Sequence, residues 1–135
     1  MVIFVKLSEI NIGDPFILPF DNKYYMYGSR VGVQTGFDVY ESTDLKEWSK
    51  AKSVFEITDG FWATRDAWAP EVHFYKCKFY MFASFKSPNT CRGTQILVSN
   101  TPDGKDYFIM HKPNTATLER PVITELKENN GNIFI

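Results

Sequence analysis

Two carboxylates stand where an apolar residue would pack at lower cost. Asp14 lies in Gly13-Asp14-Pro15-Phe16-Ile17-Leu18 and Glu71 in Trp68-Ala69-Pro70-Glu71-Val72-His73, each beside a proline at the mouth of an apolar, β-rich run. A charged group at such a point has to be solvated, paired or used. Acids carried on strands that converge would face one substrate although they are distant in sequence, and paired acids are the equipment of proton transfer.

The elements that must position them are hairpins. Trp68 to Phe85 holds two runs, Val72 to Tyr75 and Lys78 to Phe85, so dense in aromatic and β-branched residues that neither leaves a polar face. Strands of that kind are covered on both sides. The hairpin has an earlier counterpart: Tyr24-Tyr25-Met26-Tyr27-Gly28-Ser29 matches Phe79-Tyr80-Met81-Phe82-Ala83-Ser84 at an offset of 55. Matching Asp14 to Glu71 gives 57, which the sequence reading assigns to a first turn (Asp21-Asn22-Lys23) two residues longer than the second (Lys76-Cys77-Lys78). Gly36, Val39 and Ser42 reappear as Gly93, Ile96 and Ser99, again 57 apart. A turn-rich segment ending in an aromatic closes each copy. A repeat of somewhat over 50 residues made of short strands predicts an all-β fold, a β-propeller of which two blades of an expected five are present. Blade 1 is expected at about 12–57, blade 2 at about 66–125 and the start of a third at about 130–135, all within one partial propeller domain of 135 residues. Innermost blade strands converge on the axis, and so would the two acids.

Between the blades, Phe61, Trp62, Arg65, Asp66 and Trp68 crowd into eight residues. Flat rings offer apolar faces to sugar rings and neighbouring charges bind hydroxyls, which is what a carbohydrate pocket requires. Large loop aromatics equally serve as core plugs, so both roles stay open for Trp62 and Trp68. Arg65 and Asp66 pair with each other or orient Glu71 in this reading. His73 reads as a hydrogen-bonded core residue, Asp38 and Glu41 as solvated strand positions, and Gly28 to Gly36 either as a turn or as backbone room beside a ligand. Ile3 to Leu7 reads as an edge strand with no visible partner.

Gly13 to Leu18, Gly36-Phe37-Asp38-Val39-Tyr40-Glu41-Ser42-Thr43-Asp44-Leu45-Lys46-Glu47-Trp48 and Asp66 to Val72 resemble the opening blades of glycoside hydrolase family 43. The resemblance covers roughly residues 12 to 110. It implies a five-bladed propeller enzyme that cleaves arabinose- or xylose-containing polysaccharides with inversion. It further implies that Asp14 is the general base and that Glu71 falls where many members carry an aspartate that positions the general acid and tunes its pKa. The proton donor in that family is a glutamate of a later blade, and Glu119, Glu125 and Glu128 lack the surrounding pattern. Some members hold an axial cation through later blades; no metal ligand or cofactor is expected from these residues.

Composition excludes other classes. The chain is 44% hydrophobic with 16% aromatic residues, so it folds. Fifteen basic against sixteen acidic residues, a net charge of −1 and no basic run remove the footprint of a nucleic-acid binder. No segment has the apolar length of a membrane span. The apolar start is too short for a signal peptide, which leaves the cytoplasm as the expected location. Cys77, in a turn, and Cys91 have no metal-like spacing and are expected as free thiols. Two blades leave open faces, so self-association through them is expected, and the sequence reads as the N-terminal part of a longer enzyme, or as the product of a gene truncated by a stop, that is by itself weakly active or inactive. Two alternatives stay open: a non-catalytic carbohydrate-binding module, and a protein-binding propeller fragment.

Overall fold

The computed structural model describes residues 4–104 in full and, beyond them, the backbone of strands at 108–109, 127–129 and 132–134. The architecture is all-β: β1 (Phe4–Lys6), a short 3-10 turn (Leu7–Glu9), β2 (Ile12–Phe20), β3 (Lys23–Arg30), β4 (Gly36–Ser42), β5 (Glu47–Ser49), β6 (Lys52–Glu56), β7 (Arg65–Tyr75), β8 (Lys78–Ser87), β9 (Thr90–Ser99), β10 (Phe108–Ile109), β11 (Lys127–Asn129) and β12 (Asn132–Phe134). No helix of the described residues is long and apolar enough to cross a membrane.

Two four-stranded antiparallel sheets form blades, β2-β3-β4-β6 and β7-β8-β9-β10. The fourth strand of blade 2 is β10, and the rest of the expected 66–125 span beyond it lies outside the described residues. β11 and β12 pair as a separate hairpin. β1 does have a partner: it pairs with β5, Val5 opposite the buried Trp48, and so adds a small side sheet to blade 1.

Alternation with a period of two sends one face of each sheet into a shared core. Blade 1 contributes Tyr25, Tyr27, Phe37 and Val39 together with Phe16, Leu18, Phe20 and Phe55; blade 2 contributes Val72, Phe79, Met81, Ala83, Phe85 and Leu97. The rings meet tilted or edge-on. Phe85 lies 5.7 Å from Phe37, 5.5 Å from Phe55 and 5.1 Å from Phe61, centroid to centroid. Such offset contacts add about 0.5–1.5 kcal/mol each to the area buried. At the other end of the interface the Tyr27 hydroxyl donates to the Pro102 carbonyl at 2.6 Å and Lys52 pairs with Asp103, which ties the turn after β9 to blade 1.

The register corrects the spacing drawn from sequence. Phe16 faces Tyr27 and Phe20 faces Lys23, while Glu71 faces Phe82 and Tyr75 faces Lys78, so the offset is 55 on both strands of the hairpin (71 − 16 and 82 − 27). The two turns are equal in length. Each spans two residues with positive φ, Asp21 and Asn22 (49°, 58°) or Lys76 and Cys77 (43°, 61°), the geometry whose twist matches that of the strands it joins. The offset becomes 57 only at the third strand, where Val39 faces Tyr27 and Ile96 faces Phe82. The position equivalent to Asp14 is therefore Ala69, and the equivalent of Glu71 is Phe16.

Cys77 is the least suited of the four turn residues to a positive φ, a conformation costing about 1–2 kcal/mol for a residue with a Cβ. Cys77→Gly is expected to raise stability by about 0.5–1 kcal/mol, read as a rise of a few degrees in melting temperature. A fall would show that the exposed thiol contributes more than the backbone strain removes.

Candidate active site

The first strand of each blade is bulged at its N-terminal end. In β2 the ladder jumps from Gly13 to Phe16, and Asp14 within the gap has φ +48°. In β7 it jumps twice, from Arg65 to Trp68 and from Trp68 to Glu71, with Asp66 at φ +53° and Ala69 at φ +52°. Pro15 and Pro70, which cannot donate to a ladder, each follow a positive-φ residue. Bulges re-aim side chains, and positive φ outside glycine persists only where the surroundings hold it.

Those surroundings come from blade 1. The freed Ala67 N–H donates to the Gln34 carbonyl at 3.0 Å, and the Ala69 N–H donates to Ser29 Oγ at 3.0 Å. Ser29 is also the cross-strand partner of Gly13, so one serine joins the neighbour of Asp14 to the neighbour of Trp68. The segment 31–35 that delivers Gln34 is anchored at its end. Thr35 Oγ1 donates to Glu56 at 2.6 Å, Ile57 N–H donates to the Thr35 carbonyl at 2.8 Å, and Arg30 bonds Glu56, Ser53 and Asp38. Burial by itself pushes the Glu56 carboxyl up; the hydrogen bonds from Thr35 and Arg30 outweigh it and leave that carboxyl below its ordinary range. Asp38, expected as solvated, is thus ion-paired with Arg30, and Glu41 pairs with Lys23 at 3.1 Å.

The structure sorts the residues singled out from sequence. Asp14 is exposed, and its side chain has no hydrogen-bond or ion-pair partner among the described residues. Trp68 is 37% exposed; its indole N–H donates to Gln34 Oε1 at 2.8 Å and the Arg92 guanidinium lies 3.9 Å from its ring centroid. Asp66 is paired with Arg92 at 3.2 Å, with Arg65 farther off at 4.0 Å and itself largely exposed. Trp62 takes the other role left open for it: it packs on Phe61 and Phe85 and donates its N–H to the fully buried Gln95 at 3.1 Å. It is a partly buried residue packed against the core.

Glu71 sits apart from this group. Its carboxylate bonds His73 at 2.7 Å, and both side chains are exposed, so His73 is hydrogen-bonded but not buried. With Tyr75, Tyr80 and Phe82 they line a cavity of about 410 Å³. Subtracting 55 turns these five residues into Phe16, Leu18, Phe20, Tyr25 and Tyr27, which blade 1 packs against blade 2. The cavity is thus the blade face that repeats the inter-blade surface, carrying Glu71 and His73 where blade 1 has Phe16 and Leu18. Sequence reasoning missed Gln34, Ser29, Ser84 and Arg92. The recurrence of Ser29 as Ser84 was a signal; Gln34 and Arg92 have none nearby. Cys77 and Cys91 are free, and His111 lies outside the described residues. No group of three or more His, Cys, Asp or Glu side chains among the described residues could hold a metal ion.

Consecutive four-stranded blades whose first strands are bulged at one end, with an exposed tryptophan there and a carboxylate partnerless among the described residues, fit an incomplete β-propeller. The family model "Glycosyl hydrolases family 43" matches residues 8–121, and the chain belongs to that family. It is similar to an extracellular endo-α-(1→5)-L-arabinanase of Bacillus subtilis (strain 168), 26% identical over 104 residues, which cover 73% of this chain and 32% of the relative. A β-D-galactofuranosidase of Aspergillus niger is 38% identical over 63 residues, 44% of this chain and 18% of the relative. Among solved structures, an endo-arabinase from Bacteroides thetaiotaomicron superposes with a TM-score of 0.72 at 33% identity, over 79% of this chain and 37% of that one. The chain thus spans about a third or less of the length of these curated relatives.

Ser29→Ala removes the acceptor of the Ala69 N–H and is expected to destabilise by about 0.5–1.5 kcal/mol, the net worth of a part-buried hydrogen bond. Urea unfolding followed by circular dichroism reads it. A change near zero would mean that water replaces the hydroxyl and that the bulge stands without blade 1.

Proposed function

We propose that this chain forms part of the propeller of an inverting glycosidase acting on arabinose- or xylose-containing plant polysaccharides or oligosaccharides, with Asp14 as general base. The observation that supports it best is the setting of Asp14: an exposed carboxylate, partnerless among the described residues, at the bulged end of an innermost strand in a member of this family. In that reaction the base takes a proton from water, whose oxygen attacks the anomeric carbon from the face opposite the leaving group. A carboxylic acid protonates the departing glycosidic oxygen. The two carboxyls stand about 6.5–9.5 Å apart to admit the water. Glu71, bonded to His73 on the outer blade face, takes no proton-transfer role in this reading. The proton donor is expected outside the described residues, in keeping with the later-blade glutamate of the family. Trp68 supplies an apolar ring for a pentose, with Asp66 and Arg65 at its flank.

Two outcomes follow for the 135-residue chain. Arabino- or xylo-trisaccharide raises its melting temperature, Trp68→Ala abolishes the rise and Asp14→Asn leaves it, since binding without turnover needs no base. Aryl arabinofuranoside and xyloside are hydrolysed at or near background; release at a rate that Asp14→Asn removes would overturn the expected inactivity and uphold the base. Absence of a thermal response to every sugar tried would sink the carbohydrate reading.

The exposed Tyr75 and the partly exposed Phe82, on the blade face that repeats the inter-blade surface, lead us to expect self-association. Sedimentation velocity should show a weight that rises with concentration, and that falls back on Phe82→Lys. A concentration-independent monomer would count against it.

A further inference from the structure

Arg92 lies 26 residues from Asp66 and is fully engaged on one side of Trp68. Its Nη1 donates to the Asp66 carbonyl and to Ser84 Oγ, both at 3.2 Å, and its Nη2 donates to Asp66 Oδ2 at 3.2 Å. Its guanidinium covers one face of the Trp68 ring at 3.9 Å from the centroid. Ser84 in turn reaches the Trp68 carbonyl at 3.5 Å. The ring edge is held from the other blade by Gln34. Arg92 is 22% exposed in its side chain, as is Asp66, so the pair is partly shielded from water and salt.

The ring is therefore fixed at two independent points, its N–H by blade 1 and one face by a cation of blade 2. An indole held in this way has one face left for a ligand. A guanidinium stacked behind a ring is a planar contact that an ammonium does not reproduce. The fork that Arg92 makes to Asp66 also braces the first bulge of β7, where Asp66 has φ +53°.

We propose that Arg92 is a positioning residue for sugar binding: with Asp66 and Gln34 it locks Trp68 as a one-faced platform against which the apolar face of a pentose ring stacks. This rests on the carbohydrate reading of Trp68 given above. It deepens that reading by naming the group, contributed by β9 and outside every motif of the sequence, that makes the ring rigid enough to select a stacked sugar.

The experiment uses the 135-residue chain. The three indole N–H resonances are recorded by ¹⁵N NMR with Trp68→Phe as the assignment control, followed by acrylamide quenching and titration with α-1,5-arabinotriose and with xylotriose. In the parent chain the Trp68 signal is expected to be protected from exchange and to move on addition of one trisaccharide. In Arg92→Ala it shifts, exchanges faster and is quenched more strongly, while the Trp48 and Trp62 signals stay in place. The trisaccharide dissociation constant rises about three- to tenfold, the worth of a cation–π contact. Arg92→Lys keeps the charge beside Asp66, and with it the fold, but is expected to lose the stack and to follow the alanine variant in quenching and affinity. A Trp68 signal, quenching and affinity unchanged in both variants, with the trisaccharide still moving the parent resonance, would overturn the proposal and leave the carbohydrate reading intact. A parent Trp68 signal that no trisaccharide moves would sink both together.

Discussion

The structure depends on where two backbone N–H groups go. The double bulge of β7 takes the buried Ala67 and the exposed Ala69 out of the ladder with β8, and a buried donor such as that of Ala67 costs about 1–3 kcal/mol when it lacks an acceptor. Blade 1 supplies both acceptors, the Gln34 carbonyl and the Ser29 hydroxyl. The bulged strand that carries Trp68 and Glu71 is thus hydrogen-bonded to blade 1 where its own ladder lapses. The aromatic core brings the sheets together without direction; these two hydrogen bonds set their alignment at the mouth.

Positive φ marks this end of the hairpins as it does the turns at the other. Asp14, Asp66 and Ala69 all have positive φ, and each bulge departs from a ladder that is otherwise regular along the hairpin. Positive φ costs about 1–3 kcal/mol a position and survives where neighbours over-determine it. Here the neighbours are Ser29 for Ala69 and Arg92 for Asp66. Among the described residues Asp14 has no such bond, and its side chain is exposed.

The equivalence of Ala69 with Asp14 shows how a repeat can mislead. Sliding one copy by two residues keeps every side chain on its own face, because the strand period is two. Glu71 therefore looked like the counterpart of Asp14: acid matched acid, proline lay nearby, and the alternation was undisturbed. Only cross-strand partners, Tyr27 for Phe16 and Phe82 for Glu71, distinguish the two alignments. With the register set, Glu71 and His73 stand where blade 1 has Phe16 and Leu18, and the cavity beside them repeats the surface that blade 1 packs against blade 2.

The sequence by itself determined the all-β class, the paired hairpins, the repeat and the acid at the mouth of β2. Those features are written in local alternation, turn residues and proline, and the short range of backbone sterics makes them legible. The double bulge of β7, the choice of Trp68 over Trp62 as the exposed ring, the partner of β1 and the hold of Arg92 and Gln34 on Trp68 were decided only in the tertiary structure. Each rests on a contact between residues from 26 to more than 40 positions apart, Arg92 with Asp66, Gln34 with Trp68, Val5 with Trp48. Neither residue of such a pair carries a mark of the other in its own neighbourhood. Whether an indole ends in the core or at the surface is settled by the sheet packed against it, which for Trp62 is the sheet holding Gln95 and Phe85.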